Sequence, residues 1–127
     1  MIDHVSLPVA DLSAARAFYA AVLAPLGYRL LVERPASVAF GKRYPELWLN
    51  ARPGRPPEPP GSGAHVCLRA ASVEAVNAFH AAGLAAGGED DGAPGLRAAA
   101  QVTYHGAFLR DPDGNRVEAM TVPPAAP

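Results

Sequence analysis

Residues 4–27 and 65–88 are two copies of one unit. HVSLPVADLSAARAFYAAVLAPLG lies on HVCLRAASVEAVNAFHAAGLAAGG with a shift of 61 and agrees at 12 of 24 positions, His4 falling on His65 and Phe18 on Phe79. Alanine supplies many of the matches in a chain rich in alanine, but the His-Val-x-Leu openings and the Phe-to-Gly spacing are more specific. An internal repeat constrains the fold before any element is assigned. With 127 residues in all, the chain has room for one domain, so the two copies have to share a core. Equivalent histidines at the head of each copy point to one pseudo-symmetric site.

Each copy opens as strand then helix. Alternating apolar residues from Ile2 to Val9 predict a strand, and Asp11 offers a side-chain oxygen to a helix start. Leu12, Ala15, Phe18, Tyr19, Val22, Leu23 and Leu26 then recur at helical spacing, with Gly27 as the stop. The second copy predicts a strand over Ala64 to Arg69, a cap at Ser72, and a helix with Val73, Val76, Phe79 and Leu84 on its apolar side before Gly87 and Gly88. Strands follow at Tyr28 to Glu33, Ser37 to Phe40 and Glu46 to Ala51. After the second helix the strand signal is weak from Gly92 to Ala100, clear from Gln101 to Arg110, and clear again from Asn115 to Val122. Asp111-Pro112-Asp113-Gly114-Asn115 reads as the hairpin turn between the last two.

The fold class expected is therefore α+β: two βαβββ modules forming a cupped mixed sheet around a shared site, in one domain. Module one spans 1–51, a linker 52–63, module two 64–122 and a frayed tail 123–127. The linker holds five prolines and three glycines in twelve residues and reads as a connection without chemistry. Net charge is −1 with no basic cluster, which argues against a nucleic-acid partner. No apolar run approaches the roughly 20 residues of a membrane helix, and MIDHVSL does not resemble a secretory leader. The lone Cys67 excludes an internal disulfide and suits a reducing compartment. The expectation is a cytoplasmic protein with neither membrane nor nucleic-acid partners.

Strand parity groups the polar residues. His4 shares a face with Ser6, His65 with Cys67 and Arg69, and Glu118 with Arg116 and Met120. Glu118 lies between Val117 and Ala119, where a carboxylate has to be paired, protonated or bound to a metal. Two imidazoles and a carboxylate are the ligand set of facial-triad iron sites, usable also by manganese, zinc or nickel.

The paired modules with opening histidines, the DLSAARAFYAAVLAPLG helix and the DPDGNRVEA ending resemble the vicinal oxygen chelate superfamily, the group of glyoxalase I, fosfomycin-resistance, bleomycin-resistance and extradiol-dioxygenase proteins. The resemblance spans Ile2 to Val122. It implies that His4, His65 and Glu118 hold one divalent metal (Fe, Mn, Zn or Ni), and that a substrate binds it through vicinal oxygens for isomerisation, thiol or water addition, or ring oxygenation. Trp48 stands where glyoxalase I has a glutamate ligand, and Phe108 where extradiol dioxygenases keep a tyrosine. Tyr104 and Glu46 are the acid or base candidates, while His105 points to the opposite face. Ser6, Trp48, Cys67, Phe108 and Arg116 would line the substrate pocket. The alternative is a metal-free binding or drug-sequestering protein of the bleomycin-resistance type. The resemblance also implies a homodimer, with modules exchanged between chains or closed within one.

Overall fold

The computed structural model describes residues 1–124. Strand β1 (Val5–Val9) leads into helix α1 (Leu12–Leu23), a 3-10 turn (Ala24–Leu26), and strands β2 (Arg29–Glu33), β3 (Ser37–Gly41) and β4 (Leu47–Ala51). The second module repeats the plan with β5 (His65–Arg69), α2 (Val73–Ala85), β6 (Glu89–Ala98), β7 (Thr103–Arg110) and β8 (Arg116–Thr121). Each module forms a four-stranded mixed sheet, ordered β1-β4-β3-β2 and β5-β8-β7-β6. In each, the first strand pairs in parallel with the last and the remaining pairs are antiparallel.

The caps expected from the sequence are in place. Asp11 accepts from the Ala14 N–H at 3.0 Å and Ser72 from the Ala75 N–H at 3.1 Å, each satisfying a donor that a helix start leaves free. Gly27, at φ 83°, closes the first helical segment in the left-handed region. Helix α1 buries Ala15, Phe18, Tyr19, Val22 and Leu23. These meet Phe40, Leu47 and Leu49 of the first sheet, Phe79 of α2, and Leu109 and Val117 of the second sheet in one core. Each such side chain taken wholly out of water contributes about 1.5–3 kcal/mol, so neither module is expected to hold alone.

On α2 the apolar stripe differs from the expected one. Leu84 is 46% exposed, and Gly83 turns inward instead. A Cβ at Gly83 would lie 2.2 Å from Leu109 Cδ1, so the missing side chain is what admits Leu109 against the helix. The expected weak segment after α2 is in fact a ten-residue strand, β6. Gly92, Pro94 and Gly95 give it little intrinsic strand propensity, and its register slips twice; pairing with β7 imposes the extended form. Strand β7 accordingly begins at Thr103 rather than Gln101, and β1 begins at Val5, leaving His4 outside the ladder.

The turn after β7 ties the modules together. Tyr19 donates its hydroxyl to Asp111 Oδ2 at 2.6 Å, the Ala10 N–H donates to Asp113 Oδ1 at 2.8 Å, and Asn115 Nδ2 donates to the Pro8 carbonyl at 2.9 Å. The segment 52–63 is fastened over the same turn, with the Glu58 N–H on the Asp113 carbonyl at 2.8 Å and Arg116 Nη2 on the Pro60 carbonyl. Pro123 and Pro124 carry no regular structure; the rest of the expected frayed tail lies outside the described residues.

Candidate functional site

Buried apolar residues alternate with polar ones along the central strands. Leu47, Leu49, Val117, Ala119 and Leu109 join the core under the helices. The other face therefore carries Trp48 opposite Ser6 in the first sheet, and Glu118 opposite both Cys67 and Phe108 in the second. His105 turns to the helix side, where its Nε2 meets Asn77 Oδ1 at 2.9 Å, as parity predicts.

Glu118 is the focus of this face, at 3% exposure. Its Oε1 lies 3.1 Å from His65 Nε2, while its buried Oε2 has no hydrogen-bond partner among the described residues. Desolvating a carboxylate oxygen without a full partner is costly, and the Cys67 and Tyr104 side chains are near enough to act on the same carboxylate. Gly106 makes the room: a Cβ at that position would lie 3.1 Å from Glu118 Oε2 and 2.7 Å from Tyr104 Cε2. Desolvation, and then the Glu118 carboxylate, hold the Tyr104 hydroxyl above its ordinary value. The Cys67 thiol is pushed up to about 12, first by desolvation and next by Glu118, and so stays protonated at neutral pH. The His65 ring lies tilted against Phe108 at a centroid distance of 5.6 Å.

The other expected ligand is placed differently. His4 is exposed, and its Nδ1 lies 2.6 Å from Asp3 Oδ1. Asp3 is in turn held by the Tyr44 hydroxyl at 3.0 Å. His4, Glu46, His65 and Cys67 do line one cavity of about 400 Å³. Among the described residues, however, no three His, Cys, Asp or Glu side chains gather closely enough to hold a metal. The structure thus brings His65 and Glu118 together and leaves His4 apart from them. Glu46 precedes β4 with a buried Oε2 that has no hydrogen-bond partner among the described residues, and its carboxylate helps to raise the Tyr28 hydroxyl, behind desolvation as the main cause. Trp48 lies under the Arg34 guanidinium, 5.4 Å from the ring centroid.

Sequence reasoning missed the arginines around this face as a group. Asp91 Oδ1 is 3.3 Å from Arg110 Nε and its Oδ2 is 3.4 Å from Arg116 Nε, while the Arg97 guanidinium covers Phe108 at 5.1 Å. The available signal was the run of Asp91, Arg97, Arg110 and Arg116 at strand parity, obscured because β6 did not read as a strand.

Residues 1–119 match the family model of the Glyoxalase/Bleomycin resistance protein/Dioxygenase superfamily. The chain belongs to that superfamily. A glyoxalase/bleomycin resistance protein from Albidiferax ferrireducens T118 is 34% identical, with a TM-score of 0.82 over 93% of this chain and 96% of that one. An integron cassette protein from V. cholerae is 25% identical, with a TM-score of 0.65 over 95% and 94%. A glyoxalase/bleomycin resistance protein/dioxygenase family enzyme from Burkholderia phytofirmans PsJN, at 18% identity and TM-score 0.71 over 96% and 98%, supports the shared fold. Among curated protein sequences, none matches. This superfamily member has, among its described residues, no helix long and apolar enough to cross a membrane.

Proposed function

We propose that this superfamily member is a divalent-metal-dependent enzyme of the glyoxalase/dioxygenase type, acting on a small molecule chelated through two neighbouring oxygens. The observation that carries the reading is the buried Glu118, with one oxygen beside His65 and the other unpartnered. A carboxylate and an imidazole suit iron, manganese, zinc or nickel. His65 and Glu118 would hold the ion, joined by His4, which lines one cavity with His65 and Glu46. A bound ion would supply Lewis acidity toward two substrate oxygens and stabilise negative charge developing on them. Tyr104, held in its protonated form, keeps a proton at its hydroxyl oxygen beside Glu118. Glu46, with a buried carboxylate oxygen, would accept one. Ser6, Trp48, Cys67, Phe108 and Arg116 orient the substrate and limit its contact with water. The protein works as a cytoplasmic homodimer, with modules closed within a chain or exchanged between chains.

The lack of a three-ligand cluster among the described residues favours a second reading, a metal-free binding protein of the bleomycin-resistance type. Equilibrium dialysis against Mn, Fe, Zn and Ni, with metal counted by elemental mass spectrometry, separates the two. Stoichiometric retention lost in His65→Ala and Glu118→Ala supports the enzyme; no retention of any ion by the wild type supports the binding protein.

A further inference from the structure

We propose that the second module carries an oxyanion subsite formed by Arg97 and Arg116 over Phe108, so that the ligand of this face is a small organic anion. The proposal rests on the site reading above and adds the class of its ligand. A cavity of about 310 Å³ is lined by His65, Asp91, Arg97, Phe108 and Arg116, two guanidinium groups against one carboxylate. That carboxylate is already shared, since Asp91 spans the Nε edges of Arg110 and Arg116. Arg97 makes no ion pair among the described residues. Its Nη1 donates to the Gly106 carbonyl at 2.6 Å and to the Gly95 carbonyl at 3.0 Å, and its Nη2 to the Ala93 carbonyl at 2.9 Å. Neutral acceptors fix the group in place; no carboxylate pairs with it directly among the described residues, although Asp90 lies within reach of its charge.

A half-buried guanidinium held this way is prepared for an anion, because the ordering that binding normally costs has already occurred. With both Nη1 hydrogens and one of Nη2 engaged, Arg97 offers its Nε–H and the remaining Nη2 hydrogen to the paired oxygens of a carboxylate or phosphonate, in charge-assisted hydrogen bonds stronger than neutral ones. Phe108 gives the cavity an apolar wall for the body of the ligand. His65 lines the same cavity, so an anion seated on the arginines points the rest of the molecule toward Glu118. The first module has no equivalent: the residue two before Trp48 is Glu46, whereas the residue two before Glu118 is Arg116.

The test is calorimetric titration of the metal-free full chain with benzoate, phenylphosphonate and the neutral benzamide. Benzoate or phenylphosphonate should bind about tenfold or more tighter than benzamide, the worth of a hydrogen bond to a charged group. The preferred anion tells which oxyanion the site takes. Arg116→Gln and Arg97→Lys should each remove most of that preference, the lysine because it keeps charge but loses the fork. Arg97 also braces β6, so circular dichroism and the unfolding midpoint accompany each variant, and Arg116→Gln stands as the independent arm. Equal binding of benzoate and benzamide, or a preference unchanged in both folded variants, overturns the proposal. Metal retention is measured on the same samples: anion preference without metal retention sinks the metal reading alone, and metal retention without anion preference sinks this inference alone.

Discussion

Trp48 in the first module and Glu118 in the second occupy the same place in the plan. Each lies in the strand that runs parallel to its module's opening strand, Trp48 opposite Ser6 and Glu118 opposite Cys67. Around Trp48 the first sheet offers an aromatic wall and an arginine stacked over it. Around Glu118 the second offers a histidine, a tyrosine and three arginines. The divergence extends to the histidines. His65 follows Ala64 and is free to meet Glu118, whereas His4 follows Asp3, which takes its Nδ1. The two modules share one register, and differences at a few facing positions place the paired imidazole and carboxylate on one of them.

The sharpest way to break this contrast is Glu118→Leu. Metal retention should fall by more than the ~100-fold that loss of an outer-shell partner costs. The unfolding midpoint should hold or rise, since a buried carboxylate with an unpaired oxygen is replaced by an apolar side chain. A collapse of the fold instead would make Glu118 structural. The next effect concerns the tie between modules. Tyr19→Phe leaves buried Asp111 without one of its donors and should cost about 1–3 kcal/mol by urea denaturation. A change near zero would mean that the modules do not depend on that contact. Trp48→Glu gives the first module the carboxylate it lacks, and should tighten manganese binding about tenfold in equilibrium dialysis, roughly one charged contact.

The smallest effect is on acid stability, where two aspartates of the second module act in opposite senses. Burial raises the Asp111 carboxyl above 3.8, so its contribution is greatest below 3.8 and falls as pH rises through the folded value. The hydrogen bond with His80, foremost, lowers the Asp90 carboxyl, so its contribution is present above 3.8 and is lost as pH falls through the folded value. Urea titrations between pH 3 and 6 should therefore show Asp90→Asn flattening the acid-side loss of stability and Asp111→Asn steepening it. Parallel curves for the two variants would contradict the assignment.

Much of this molecule is legible in the sequence wherever the cause is local. The caps at Asp11 and Ser72, the inward face of α1 and the burial of Glu118 follow from periodicity and from which side chains can satisfy a helix end. Strand β6 was not legible, because Gly92, Pro94 and Gly95 deny it any propensity and only pairing with β7 extends it. The Arg97, Asp91 and Arg116 group depends on that pairing and was hidden with it. His4 is equivalent to His65 in the repeat, but the residue before it is Asp3 where the second module has Ala64, and Asp3 meets its Nδ1, a contact the alignment alone did not reveal.

The proposed metal centre, His65 and Glu118 with His4 as third ligand, is probed with cobalt. Co²⁺ is titrated into wild type, His4→Ala, His65→Ala and Glu118→Gln while the visible ligand-field absorption is recorded. The wild type should give a stoichiometric spectrum that His65→Ala and Glu118→Gln abolish, with His4→Ala shifting or weakening it as the third ligand is lost. A wild type that binds no cobalt, or a spectrum untouched by the His65 and Glu118 variants, would contradict it.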